Sequence, residues 1–112
     1  MAMEKETEQK INELQMLEMS LQQFSRQKQA FQAQLMEIES ALKELSSTDS
    51  AYKIVGNIMV KSPKADLEKD LSSRQEMLGV RIKTIEKQES AIRQKAEKLQ
   101  KEVLGQIEEK ER

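Results

Sequence analysis

The stretch Tyr52-Lys53-Ile54-Val55-Gly56-Asn57-Ile58-Met59-Val60-Lys61 decides how this chain folds, because its character differs from everything around it. It is β-branched and apolar, with Gly56-Asn57 at its middle. Two such runs joined by Gly-Asn predict a β-hairpin with a two-residue turn, since Gly takes positive φ at low cost. The reading puts Tyr52, Ile54, Ile58 and Val60 on one face, and has Val55 and Met59 make the other face partly apolar. A hairpin over 52–61 reverses the chain at its centre. Whatever precedes it and whatever follows it are thereby brought side by side.

Before the hairpin lies Ser46-Ser47-Thr48-Asp49-Ser50, whose side chains compete for backbone hydrogen bonds and end a helix. Upstream of that, Leu14, Leu17, Leu21, Phe24, Lys28, Phe31, Leu35, Ile38, Leu42 and Leu45 alternate spacings of three and four. This is a coiled-coil seam broken only by Lys28. Lys28 either extends its charge out of the seam or helps to set the register. After the hairpin, Ser62 reads as an N-cap and Pro63 as a first helical residue. Asp66 and Glu68 lie near the positive end of that helix dipole. A second seam follows through Leu71, Leu78, Ile82, Ile85, Ile92, Ala96, Leu99 and Val103, interrupted at Gln75 and Glu89. Gly79 weakens this helix by roughly 1 kcal/mol against Ala and offers a place to bend.

The expected helices cover 7–46 and 63–108 within a single domain of residues 1–112. At about 40 residues each, and about 1.5 Å per residue, each arm reaches roughly 60 Å. Folded back, they pair antiparallel, with Leu45 near Leu71, Leu14 near Val103, and both chain ends together. Residues 1–50 carry roughly four more acids than bases and residues 61–101 roughly four more bases than acids, which suits arms lying side by side. The fold class is therefore mainly α: a long antiparallel helical coiled coil with a single β-hairpin between the helices. A lone two-stranded hairpin is marginal in water, and its open edges invite other strands. Closing hairpins from several chains into an intersubunit β-barrel removes those edges. The alternative is a hairpin folded down on its own helices, which is disfavoured because the two seams already occupy each other.

Composition narrows the function. Charged residues make up 35%, apolar residues 37% and aromatics 3%, too little bulk for a thick core with a catalytic pocket. Disorder is the simplest reading of so polar a chain, but the apolar residues are too regularly spaced for it. With no Cys and no His, thiolate chemistry and the commonest metal ligand and general base are missing. No Gly-rich phosphate loop is present. The expectation is no enzyme, no metal and no cofactor. A net charge of −1 favours neither nucleic acid nor an anionic membrane. The basic bias of 61–101 lacks the interleaved aromatics of a nucleic-acid binder. No apolar run approaches a membrane span, and the start of the chain lacks a signal-peptide stretch, so a cytoplasmic location is expected.

The Tyr52–Lys61 motif, followed by Arg81-Ile82-Lys83-Thr84-Ile85-Glu86-Lys87-Gln88-Glu89, closely resembles the β-type subunit of prefoldin, as does the Gln-rich helix around Gln27-Lys28-Gln29. The resemblance covers nearly the whole chain. It rests on the hairpin with its two flanking arms, since heptads alone are a weak signal. Chains of α type carry two hairpins and chains of β type one; only one fits between Leu45 and Leu67. The resemblance implies a hexamer of two α-type and four β-type subunits, with hairpins forming a platform from which coiled coils project. It implies an ATP-independent holding chaperone that captures unfolded proteins and transfers them to a group II chaperonin. A structural coiled-coil tether is the rival reading; it accounts for the heptads but not for the hairpin and the matched arms.

Two groups of residues carry the expected function. Tyr52, Ile54, Val55, Gly56, Asn57, Ile58, Met59 and Val60 form the assembly element. Leu14, Met16, Leu17, Met19, Val103, Leu104 and Ile107 form a client-binding surface at the ends of the arms, with Met1 and Met3 adding to it. Met is flexible and polarisable, which suits a surface that accepts many partners. Leu14, Leu17 and Val103 serve equally well to finish the seam. Met16, Met19, Leu104 and Ile107 lie off the strict heptad. The charged tail Glu102, Glu108, Glu109, Lys110, Glu111 and Arg112 is read as solvated, with chaperonin docking as its second reading.

Overall fold

The computed structural model describes residues 4–111. Met1, Met3 and Arg112 lie outside the described residues. Helix α1 spans Lys5–Ser46, strand β1 Ala51–Val55, strand β2 Ile58–Ser62 and helix α2 Lys64–Glu111. The mainly α architecture, with a single antiparallel hairpin between two long helices, is the one expected.

Good helix formers carry α1 for 42 residues and α2 for 48. Helix α1 stops in its serines. The Ser46 hydroxyl donates to the Lys43 carbonyl at 2.6 Å, and the Ser47 N–H and hydroxyl both donate to the Glu44 carbonyl. Bonds three residues back tighten the last turn and satisfy carbonyls that the helix leaves free. The Thr48 hydroxyl bridges to Ser50, accepting its N–H and donating to its carbonyl. Helix α2 starts one residue later than its sequence suggests. Ser62 still belongs to β2, and the Pro63 carbonyl accepts the Asp66 and Leu67 N–H groups. Pro63 thus stands at the cap itself, where its missing N–H costs nothing.

Contacts divide the chain into two units, Met1–Lys28 with Thr84–Arg112, and Gln29–Lys83. In the first unit the helices run antiparallel. Thr7 meets Gln106, Lys10 meets Glu102, Glu13 meets Lys95 and Lys28 meets Glu89. Ile85, Leu99 and Val103 are its buried apolar residues. Leu14, Leu17, Leu21 and Phe24 are half-buried on the facing helix. In the second unit Leu78 and Ile82 are buried, and Phe31, Leu35, Ile38, Leu42 and Leu45 half-buried. Arg81 stacks its guanidinium 5.8 Å from the centre of the Phe31 ring.

Candidate functional site

The hairpin is the first candidate surface. Val55 pairs with Ile58, so Gly56 and Asn57 are the whole loop. Gly56 has φ +60°, and no other described residue has positive φ outside glycine. Positive φ at the first loop position only is the type II′ pattern, whose twist matches that of the strands.

The register corrects the expected faces. Tyr52 lies opposite Lys61, Ile54 opposite Met59, Lys53 opposite Val60 and Val55 opposite Ile58. Opposed residues share a face, so Tyr52, Ile54 and Met59 stand together, with Lys61. Val55, Ile58 and Val60 stand on the other face with Ala51, Lys53 and Ser62. Residues in one strand alternate faces, but a two-residue loop pairs odd numbers with even ones. Counting by twos through the turn therefore assigns Ile58 and Val60 to the wrong side. The consequence is that both faces are apolar.

Neither face is covered. Tyr52, Ile54, Val55, Ile58, Met59 and Val60 are 48–70% exposed. Tyr52 and Ile54 border a depression with Ala41, Leu45, Leu67 and Leu71, so one hairpin face looks onto the bases of the helices without being buried there. Ala51 is the one buried residue of the ladder. Both strands are edge strands, with one partner each. Open edges and two apolar faces make a surface fit for further strands.

The paired ends of the helices form the second surface. The Thr7 hydroxyl donates to Gln106 at 2.6 Å, which brings the two ends together. Met16 and Met19 are 67% and 69% exposed and border one open depression with Ser20, Gln22, Gln23 and Arg26. Leu104 is also exposed, Ile107 half-buried. Leu14 and Leu17 are half-buried in the seam, and Val103 is buried. The expected cluster is thus divided: Met16, Met19 and Leu104 face outward, whereas Leu14, Leu17 and Val103 hold the helices together. Met36, Met77 and Val80 are exposed apolar residues that sequence reading passed over. Their signal was the same, apolar side chains off the heptad.

The polar residues of the seams answer one another. Lys28 does not carry its charge out to water. Its Nζ lies 2.7 Å from Glu89 Oε1, and Glu89 is 2% exposed. Arg93 approaches the other Glu89 oxygen at 3.8 Å. Two interruptions in two seams are therefore one ion pair. The expected register pointed to it: 17 residues back from Leu45 is Lys28, and 18 onward from Leu71 is Glu89.

Glu102 belongs to the interhelical contact rather than to a charged tail. It lies 3.2 Å from Lys10 Nζ, and its hydrogen bond holds the Lys10 ammonium above the ordinary lysine value, with Glu6 adding to the effect against a smaller pull from burial. Glu108 and Glu109 are exposed. Of the cross-helix ion pairs Lys10–Glu102, Lys28–Glu89 and Glu13–Lys95, the last has its acid on the acid-rich arm and its base on the base-rich one, and the other two run the opposite way. The charge bias of the arms is thus a poor guide to which residues meet. No helix among these residues is long and apolar enough to cross a membrane.

Known proteins share this arrangement. The family model described as prefoldin subunit matches residues 8–110. The prefoldin subunit beta of Saccharolobus islandicus is 38% identical over 101 residues, covering 88% of this chain and 80% of the relative. That of Methanospirillum hungatei is 35% identical over 101 residues, covering 88% and 84%. The crystal structure of the prefoldin beta subunit from Thermococcus strain KS-1 superposes with a TM-score of 0.86 at 29% identity, covering 93% of this chain and 94% of that one. Two long helices, one uncovered hairpin between them and relatives of this kind lead to one conclusion: the chain belongs to the prefoldin subunit family, whose members are chaperone subunits that assemble with one another.

Proposed function

We propose that this chain is the β-type subunit of a holding chaperone that works without ATP, captures unfolded proteins and passes them to a group II chaperonin. Its hairpin joins those of other subunits, in a hexamer of two α-type and four β-type chains, and closes into a barrel. The paired helix ends then project around a shared cavity and hold the client. The observation that carries the reading is the outward placement of Met16, Met19 and Leu104 at those ends. These side chains contribute little to the seam and remain available to an apolar client. A single site of this size binds weakly. Several sites around one cavity bind together, because each new contact is made at high local concentration.

Replacing Met16, Met19, Leu104 and Ile107 by Ser tests the assignment. The assembled mass should stay that of the parent complex, while suppression of client aggregation should need roughly tenfold more chaperone, as expected when linked contacts are lost. Suppression equal to that of the parent would dispose of the assignment.

A further inference from the structure

We propose that Met16 and Met19 form an oxidant-sensitive modification site, where a hydroperoxide converts the thioethers to sulfoxides and so weakens client capture while the paired helices stay folded. The inference rests on the capture reading above.

Methionine is ordinarily among the more buried residue types. Here all five described methionines, Met16, Met19, Met36, Met59 and Met77, are more than half exposed. None occupies a seam position. The chain has no Cys, so no thiol of its own competes for the oxidant. Met16 and Met19 lie within one turn of α1 and border the same open depression. An oxidant therefore reaches both sulfurs without opening the helix pair.

The step is a two-electron oxidation. A sulfur lone pair attacks the distal oxygen of the hydroperoxide. The S–O bond forms as the O–O bond breaks, and the proton of the transferred oxygen passes to the departing one. Sulfur is oxidised to the sulfoxide, and the peroxide is reduced to water or an alcohol. The product is polar where the thioether was apolar, and a reductase of the methionine sulfoxide class restores it. Because the modified side chains face water, the change falls on the client surface and spares the seam.

The test uses the chain assembled with an α-type subunit, with and without hydrogen peroxide, and mass mapping of oxidised peptides. After conversion of Met16 and Met19, roughly two- to fivefold more complex should be needed for half-suppression of aggregation. Helical circular dichroism and assembled mass should not change, and the reductase should restore capture. The M16L/M19L variant lacks both thioethers, so, measured against its own capture before peroxide, it should lose none after it. Full oxidation with undiminished suppression overturns the proposal, as does an equal loss in M16L/M19L or unfolding on oxidation. The unoxidised serine variant separates the two readings. If it suppresses as well as the parent, the capture assignment fails; if it is impaired while the oxidised parent is not, only the oxidation inference fails.

Discussion

Lys28 and Glu89 show how a residue that breaks a pattern is understood only with its partner. A carboxylate as buried as that of Glu89 is costly unless paired, and Lys28 at 2.7 Å meets the need, with Arg93 farther away. Removing one member leaves the other uncompensated. K28M should therefore lower stability by roughly 2–4 kcal/mol, the lower end reflecting relief from Arg93. K28L/E89L, which replaces both charges by apolar groups, should recover most or all of that loss. Denaturant titration of the two variants decides the matter. A double variant as unstable as K28M would show that the pair itself, rather than the avoidance of a lone charge, stabilises the helices. Lys10 is simpler. Its value is raised, so its contribution is complete below the ordinary lysine range and is lost only as pH rises above it.

Glycine separates the elements. A side chain at Gly56 meets nothing within 4 Å, yet φ there is +60°, where L-residues are strained. Gly79 also has open space around it but lies inside α2 with no such backbone demand. Opposite outcomes follow from the same substitution. G56A should weaken the hairpin by about 1–2 kcal/mol, and G79A should stabilise the helix by roughly 0.5–1 kcal/mol. Hydrogen exchange resolves both, as faster exchange in 51–62 and slower exchange around residue 79. Equal effects of the two variants would refute the argument. At this scale much was legible in the sequence. The break at Ser46–Ser50, the Gly-Asn turn and the heptads all act through local backbone preference. The faces of the hairpin were misread because alternation was carried through the turn. Loop length decides that parity, and the register makes it visible.

For the whole molecule, the uncovered hairpin ties folding to assembly. Val55 and Ile58 oppose each other on the face that Tyr52 and Ile54 do not share. Placing two charges there should leave the helices intact and block burial against other subunits. V55K/I58K should thus keep the parent helical signal and fail to form the hexamer-sized species with an α-type partner, as read by light scattering. Formation of that species in undiminished amount would count against hairpin-mediated assembly. The same scale divides the candidate client surface. Sequence reading grouped seven residues at the helix ends, and the structure turns Met16, Met19 and Leu104 outward while Val103 is buried. Heptad position had already drawn that line, with Leu14, Leu17 and Val103 able to finish the seam and Met16, Met19, Leu104 and Ile107 off it; only Ile107, half-buried, departs from the outward group.

By itself the sequence determined two amphipathic helices, the hairpin that joins them and the absence of a bulky core, because these follow from local propensity and from the spacing of apolar residues. Tertiary structure decided which polar side chains meet and how closely: Lys10 with Glu102, and Lys28 with Glu89, a pair the expected register allowed but did not require. The physical reason is that a heptad pattern looks the same after a shift of seven residues and a strand pattern after a shift of two. Only packing one element against another selects the register, and the register determines which polar groups are buried together and which apolar ones remain in water.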